Sequence, residues 1–241
     1  MARILVTGSA DGLGRLAAES LLAGGHEVVV HARNGDRATA LEPLTRRGAQ
    51  VVVGDLGVRD EVTGLAAELA AVPPLDAVIH NAGVYSGRPV MPVNVVAPYL
   101  LTALLPGPRR LVYLSSGSHF GGTASLGRTD WSGGRPGSYS DSKLFVTALM
   151  AAVARLRPGV LANAVDPGWV PTRMGGRGAP DDLGLGHETQ EWLATSDDPG
   201  ALSTGGYWYH RERRRPHPAV HDESFQNHLL ESLAEETGRT L

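Results

Sequence analysis

The sequence predicts a doubly wound α/β fold, in which helices flank both faces of one parallel sheet of about seven strands. Short runs rich in Val, Ile and Leu recur along the 241 residues, and segments long enough for a helix separate them. Most runs are apolar at successive positions, which is typical of strands buried on both faces of a parallel sheet. The alternation has no composition break before residue 175, so we predict a single domain over residues 1–241.

The predicted elements follow one another as strand, helix, strand. The strands are predicted at 3–7, 27–32, 50–53, 76–80, 110–115, 160–165 and Gly205–Tyr209. Helical spacing of apolar residues predicts helices at 14–23, 36–47, 58–71, 94–105 and 138–156, and a final helix that carries Phe225, Leu229, Leu230 and Leu233. Residues 171–200 are rich in glycine, and we expect a mobile substrate loop there with a short helical run near His187–Ala194.

Composition excludes several classes of function. The formal net charge of -3 gives no positive field that would attract nucleic acid or an anionic membrane, so the expected partner is a small molecule. The basic run Arg211–Arg215 is interpreted as a solvated loop. Without cysteine there is no disulfide and no thiolate nucleophile, and we expect a cytoplasmic protein. The nine histidines are scattered, and no metal site is predicted.

A glycine-rich turn connects the first predicted strand to the first helix. In the segment TGSADGLG, Gly8 permits a tight turn, Gly12 lets the backbone approach a pyrophosphate, and Gly14 allows close helix packing. The position of this turn, between a strand and a helix, predicts a Rossmann-type dinucleotide site. A glycine turn with a purely structural role is the alternative.

The end of the second strand predicts which dinucleotide binds. A site for the unphosphorylated ribose needs a carboxylate there, but this chain has His31-Ala32-Arg33. A guanidinium can clamp a phosphate, so Arg33 favours the 2'-phosphorylated cofactor, NADP(H). The alternative is that Arg33 is only a solvated surface residue.

Tyr139 and Lys143 lie four residues apart at the start of a predicted helix and therefore share one face. Lys143 is the only lysine, and with six tyrosines it would follow one at this spacing by chance in about one arrangement in forty. A tyrosine titrates near pH 10, and a nearby cation favours the phenolate form. The pair therefore predicts proton transfer by Tyr139. Ser116, after the fifth strand, and Asn94 are predicted to lie nearby.

With these motifs the chain resembles the short-chain dehydrogenase/reductase superfamily, in particular its retinol-dehydrogenase-like branch. The resemblance implies that Ser116 orients a carbonyl oxygen, that Tyr139 gives or takes the proton, and that Lys143 also holds the nicotinamide ribose. It implies that Asn94 supports a water relay and that the substrate is an apolar carbonyl or alcohol. The cofactor-binding residues that it implies are Gly8, Ala10, Gly12, Leu13, Gly14, Arg33, Asp55, Leu56, Asn81, Ala82, Gly83, Tyr139, Lys143, Pro167, Gly168, Val170 and Thr172.

Two spacings depart from the family pattern. Only 13 positions separate Asn81 from Asn94, and 22 separate Asn94 from Ser116, which shortens the helix between them. The family commonly pairs its fourth and fifth long helices across a two-fold axis, so we expect a monomer or a dimer built on another face.

Two further functions remain as alternatives. A non-catalytic NADP(H)-binding regulator would need the glycine turn but not Tyr139 and Lys143. A sugar-nucleotide epimerase or dehydratase would share the Tyr and Lys pair, but such enzymes usually have a larger C-terminal domain, for which 241 residues leave no room.

Overall fold

Eight strands form one sheet in the computed structural model of the protein, which describes residues 1 to 241. Their spatial order is β3-β2-β1-β4-β5-β6-β7-β8, and all neighbours are parallel except β7 and β8. The order reverses between β1 and β4, so a crevice opens at their carboxyl ends. The strands are β1 (Arg3–Val6), β2 (Glu27–Ala32), β3 (Gln50–Val53), β4 (Ala77–His80), β5 (Arg110–Leu114), β6 (Leu161–Asp166), β7 (Gly206–Tyr209) and β8 (Glu212–Arg214).

The doubly wound α/β fold is confirmed, with one strand more than predicted. The basic run forms β8, which pairs antiparallel with β7 and whose residues are exposed. The two strands are joined by His210 and Arg211, both with positive φ, which is the backbone shape of a tight two-residue hairpin. Neither residue belongs to the Asn-Gly or Asp-Gly pairs that usually mark such a turn, so the hairpin had no recognisable signal.

Helices cover both faces of the sheet. They are α1 (Gly12–Ala23), α2 (Gly35–Ala38), α3 (Glu42–Thr45), α4 (Arg59–Ala70), α5 (Ala97–Leu104), α6 (Tyr139–Leu156), α7 (Leu183–Thr195) and α8 (Glu223–Thr237). None of them combines the length and the apolar composition that crossing a bilayer requires.

Three helices differ from their predicted extents. The segment 36–47 is broken into α2, a 3₁₀ turn and α3, with Pro43 in the first turn of α3. The predicted helix at 94–105 divides into a π-helical turn at Pro92–Val96 and the eight residues of α5. The helical run predicted at His187–Ala194 is the 13-residue α7, which Asp182 caps by accepting a hydrogen bond from the Leu185 N–H.

Successive strand residues enter two separate hydrophobic cores, which explains the continuous apolar runs. Leu5, Val78 and Tyr113 pack on the face covered by α4, α5, α6 and α8. Val6 and Ile79 pack on the opposite face, with α1 and α7. Both faces of the sheet are therefore buried, and its carboxyl edge is left to carry the polar residues of a site.

Candidate active site

The glycine turn between β1 and α1 has the backbone shape that the sequence predicts. Gly8 and Gly12 have φ of 68° and 56°, in the region that favours glycine. A Cβ at Gly8 would lie 2.9 Å from the Cα of Ala82, and one at Gly14 would lie 2.6 Å from the carbonyl oxygen of Gly8. Side chains are therefore excluded at positions 8 and 14 by close packing against the backbone.

The start of α1 is open to an anion. Asp11 is the N-cap residue, but its carboxylate makes no capping hydrogen bond and pairs instead with Arg37. The first N–H groups of the helix thus have no side-chain acceptor, and such a helix start binds phosphate well. Ala10 and Leu13 line the cleft beside it. These residues fit the pyrophosphate of a dinucleotide.

His31 stabilises the glycine turn between β1 and α1 through two hydrogen bonds of its side chain. Its Nδ1 accepts a hydrogen bond from the Gly8 N–H at 3.0 Å, so its Nε2 carries the proton and donates to the carbonyl oxygen of Gly54 at 2.8 Å. Burial lowers the pKa of His31, which favours this neutral form. His31 therefore connects the glycine turn to the end of β3, a contact that the sequence does not reveal.

One cleft of about 870 Å³ lies along the carboxyl edge of the sheet and joins the predicted cofactor and catalytic residues. At one end lie Arg33, Arg37 and Asp55, and Arg33 is exposed and forms no ion pair. At the other end lie Tyr139 and Lys143. The predicted residues that line the cleft are Gly8, Ala10, Gly12, Leu13, Arg33, Asp55, Leu56, Asn81, Ala82, Gly83, Tyr139, Lys143, Pro167 and Thr172.

The segment Asn81-Ala82-Gly83 attaches the end of β4 to the glycine turn. The Asn81 amide donates to the carbonyl oxygen of Thr7 at 2.9 Å, and the Ala82 N–H donates to the Thr7 hydroxyl at 3.0 Å. A Cβ at Gly83 would lie 3.6 Å from Lys143 Nζ, so this segment also reaches the predicted catalytic residues. It therefore connects the two ends of the site.

Ser116, Tyr139 and Lys143 come together from β5 and α6. Ser116 follows β5, and its side chain is close enough to Tyr139, the first residue of α6, to act against the rise in the pKa of the phenol. One turn later Lys143 is buried, and its Nζ donates to the carbonyl oxygen of Leu114 at 2.6 Å. The Nζ lies 5.5 Å from the centre of the Tyr139 ring. The structure thus places the three predicted residues in one group.

The pKa of Tyr139 is shifted in the opposite direction to the one that the sequence suggests. Burial raises it to about 12, and the carboxylate of Asp166 adds to this rise, while the side chain of Ser116 opposes it. Burial also lowers the pKa of Lys143 to about 8. In the protein without cofactor, desolvation outweighs any attraction between the phenolate and Lys143, and Tyr139 is a protonated hydroxyl at neutral pH.

Asn94 is buried beside Lys143, but its side chain is fully engaged. Its Oδ1 accepts from the Val84 N–H at 2.9 Å, and its Nδ2 donates to the Val84 carbonyl oxygen at 2.9 Å and the Ser142 hydroxyl at 3.0 Å. Asn94 lies in the π-helical turn Pro92–Val96. Its amide therefore ties the segment at Val84 to α6 and has no hydrogen-bonding group left over.

The segment after β6 closes the cleft over the glycine turn. A Cβ at Gly12 would lie 3.6 Å from Thr172 Cγ2, so the two segments are in contact. Gly168 has φ of 83° and donates its N–H to Asp166 at 3.0 Å, and Val170 is buried. Gly168 and Val170 therefore shape this segment and do not line the cleft, whereas Pro167 and Thr172 do.

Asp166 is a charged neighbour of the predicted catalytic residues, and the sequence analysis did not single it out. Its Oδ2 accepts from the Tyr207 hydroxyl at 2.8 Å and would lie 3.2 Å from a Cβ at Gly117, directly after Ser116. Burial is the main cause of the raised pKa of Tyr139 and Tyr207, and the Asp166 charge adds to both rises; at Lys143 the same charge only partly offsets the lowering of the pKa by burial. Only the pairing of β6 with β7 brings Tyr207 to this carboxylate.

Two of the nine histidines have a spacing that metal ligands can have. His217 and His221 are four residues apart, a spacing that metal ligands on a helix often have. The structure nevertheless contains no group of three His, Asp or Glu side chains that is placed to hold a metal ion.

Comparisons with known proteins agree with this geometry. The family model described as short chain dehydrogenase matches residues 2–104. The uncharacterized oxidoreductase AN7799 of Emericella nidulans is 38% identical over 254 aligned positions, which cover 99% of this chain and 98% of the relative. The chain belongs to the short-chain dehydrogenase family. It is an oxidoreductase of that family.

Two more members are similar over most of the chain. The short-chain dehydrogenase chry4 of Gibberella zeae is 36% identical, with 99% of this chain and 98% of the relative covered. The crystal structure of a short chain dehydrogenase from Shigella flexneri, complexed with NADP, has a TM-score of 0.70 and 26% identity, and it covers 88% of this chain and 97% of that chain. Ser116, Tyr139 and Lys143 lie beyond the part that the family model matches.

Proposed function

We propose that this short-chain dehydrogenase is an NADPH-dependent oxidoreductase that interconverts a carbonyl and an alcohol on an apolar small molecule. The observation that carries the proposal is the pair of Tyr139 and Lys143, with Ser116 beside Tyr139, at one end of the cleft that Arg33 borders at the other. The cofactor, when bound, supplies or accepts the hydride. The residues of the chain bind the cofactor and transfer the proton.

The proton follows a short path in the direction of reduction. The Ser116 and Tyr139 hydroxyls both hydrogen-bond the carbonyl oxygen, and the Tyr139 O–H bond breaks as the alcohol O–H bond forms. The Lys143 ammonium, 5.5 Å from the ring centre, stabilises the resulting phenolate. Lys143 then passes a proton to the phenolate, and a water held near Asn94 returns a proton to Lys143, so that both groups regain their starting state. Oxidation follows the same path in reverse.

The direct test follows NADPH oxidation across a panel of aldehydes, ketones and quinones, with NADH in parallel. We expect turnover of at least one carbonyl class, with NADPH preferred. Tight NADPH binding without turnover of any substrate would contradict the proposal and favour a non-catalytic regulator on the same fold. A Tyr139→Phe sample included in the panel separates true catalysis from a contaminating reductase.

Arg33 is expected to decide the choice of cofactor. It is exposed at the cleft and free of ion pairs, whereas Arg15 is paired with Glu19 and Arg37 with Asp11. A charge-assisted contact to phosphate is worth about 1.5 to 3 kcal/mol, so Arg33→Ala should weaken NADPH binding about 10-fold to 150-fold. NADH binding should change little. Fluorescence titration of both cofactors measures the difference.

A matched control for this prediction is Arg46→Ala. Arg46 is equally exposed, is paired with Glu42 and lies away from the cleft, so its loss should affect neither cofactor. Equal weakening of NADPH and NADH by Arg33→Ala would place Arg33 outside the phosphate site and direct attention to Arg37.

We also propose that the protein is a monomer, or a dimer built on a face other than α5 and α6. The C-terminal helix α8 packs on α6, with the rings of Phe145 and Phe225 5.9 Å apart. The Trp131 indole donates to Ser232 of the same helix at 2.8 Å. The protein's own α8 thus covers the surface that a family dimer would use. Light scattering at micromolar concentration should give the mass of one chain or two, and a stable tetramer, or a crystal dimer joined through residues 94–105 and 138–156, would contradict this proposal.

A further inference from the structure

An exposed aromatic side chain lies directly beside the catalytic tyrosine. The ring of Tyr85 is 4.9 Å from that of Tyr139, centre to centre, and the two planes are tilted by 44°. Both residues line the same cleft, yet 64% of Tyr85 is exposed. The Tyr85 ring therefore packs on Tyr139 on one side and presents the rest of its surface to whatever enters the cleft.

The backbone that carries Tyr85 is held in place. The preceding residue, Val84, has its N–H and its carbonyl oxygen both bonded to the side chain of Asn94, each at 2.9 Å. Asn94 in turn donates to the Ser142 hydroxyl in α6, between Tyr139 and Lys143. Tyr85 is thus anchored to the helix that carries the catalytic residues, and a ring ordered before binding loses little entropy when a ligand stacks on it.

Other large apolar side chains are exposed on segments that leave the same edge of the sheet. Met174 lines the cleft and is 48% exposed. Phe120, in the turn after Ser116, is 54% exposed, and Trp169, three residues after β6, is 61% exposed. The Trp169 indole donates to the Gly175 carbonyl oxygen at 2.8 Å, which orients its ring. Ordered aromatic rings exposed at the edge that carries the catalytic group are typical of a binding surface.

We infer that Tyr85 provides a stacking face for an aromatic ring attached to the reacting carbonyl, so that the enzyme prefers aryl aldehydes and ketones to saturated carbonyls of the same size. This inference rests on the proposed function and adds the substrate class. A flat ring can stack in an offset or edge-on arrangement on Tyr85, whereas a puckered cyclohexyl ring gains only burial of apolar area. The stacking advantage corresponds to about 2-fold to 12-fold in kcat/KM.

The test uses matched pairs of substrates, benzaldehyde with cyclohexanecarbaldehyde and acetophenone with cyclohexyl methyl ketone. The ratio of kcat/KM within each pair is compared among wild type, Tyr85→Leu and Tyr85→Phe, so that intrinsic differences in carbonyl reactivity cancel. We expect Tyr85→Leu to lower the aryl preference about 2-fold to 12-fold. Tyr85→Phe, which keeps the ring and loses the hydroxyl, should retain it.

Equilibrium binding separates this inference from the proposed function. Benzyl alcohol should bind the NADPH-loaded wild type more tightly than cyclohexylmethanol in calorimetry, and Tyr85→Leu should reduce that difference. An aryl preference in binding, without turnover of any carbonyl, would uphold the inference and contradict the proposed function. Turnover with an unchanged ratio in Tyr85→Leu, or a loss of NADPH affinity in its place, would overturn the inference while the proposed function stands.

Discussion

Replacing Tyr139 with phenylalanine is expected to lower the rate of carbonyl reduction by about 100-fold to 10,000-fold, the usual contribution of a general acid. The substitution removes only the phenolic hydroxyl, whose pKa Ser116 influences. The ring remains, together with its packing against Tyr85 and Lys143. NADPH affinity and the free energy of unfolding should therefore change little, and the loss should appear in kcat.

Tyr85→Phe is the matched control, because it removes the neighbouring tyrosine hydroxyl, to which no proton transfer is assigned. It should keep most of the wild-type kcat. Single-turnover measurements ensure that the chemical step is compared. If Tyr139→Phe kept more than about a tenth of the wild-type rate in such an experiment, Tyr139 could not be the proton donor.

Acid is expected to destabilise the protein through His80, which lies at the end of β4. Burial lowers the pKa of His80 to about 3, from 6.5. Its ring stacks on Tyr113, its Nε2 lies 3.4 Å from the Thr102 hydroxyl and its Nδ1 has no hydrogen-bond partner. The Thr102 hydroxyl donates to the Pro98 carbonyl oxygen, so it accepts from Nε2–H, and the imidazole is neutral.

The direction of the effect follows from which state binds the proton. Below pH 6.5 the unfolded chain protonates His80 and the folded chain does not, so stability falls as the pH drops from 6.5 towards 3. At pH 4.5 the contribution of His80 is a loss of about 3 kcal/mol relative to neutral pH. This is a large part of the stability of an ordinary domain.

The contribution of His80 to the acid loss of stability is measured by denaturant unfolding of the wild type and of His80→Phe at pH 7 and pH 4.5. The variant cannot titrate at this position, so its loss of stability between the two pH values should be smaller by about 3 kcal/mol. His228→Phe, at an exposed position on α8, should leave the wild-type loss unchanged. An equal loss of unfolding free energy between pH 7 and pH 4.5 in wild type and His80→Phe would contradict the prediction. The contributions of the carboxylates and of the other histidines to the acid loss of stability cancel, because both proteins contain these groups.

Much of the fold could be predicted because its signals are local. The apolar runs of β1, β2, β4, β5 and β6 reflect burial on both faces of the sheet, and the structure confirms all seven predicted strands within a residue or so. The strand that was missed and the helix that was predicted too short lack such signals. The hairpin that leads into β8 turns through His210 and Arg211 without glycine, and α7 begins in a glycine-rich segment, so only its later part, His187–Ala194, was predicted as a helix.

In the candidate site, too, the residues related by local spacing could be predicted, and the contacts between distant residues could not. Tyr139 and Lys143 could be paired from their spacing because one helix determines their relation. His31 and Asp166 act through partners that are distant in the sequence, Gly8 and Gly54 for the first and Tyr207 for the second. No spacing rule joins residues that meet only when strands pair, so their contacts became visible in the structure alone.

The sequence by itself determined the class of the protein: a nucleotide-binding α/β sheet with a glycine turn, a Tyr and Lys pair on one helix, and an arginine where an acid would select the unphosphorylated cofactor. Each of these depends on residues within one turn, one helix or one strand end. The tertiary structure decided the protonation of Tyr139, because burial and Asp166 outweigh its other neighbours. It also decided that α8 covers α6 and that Tyr85 faces the cleft, because both depend on how distant segments pack.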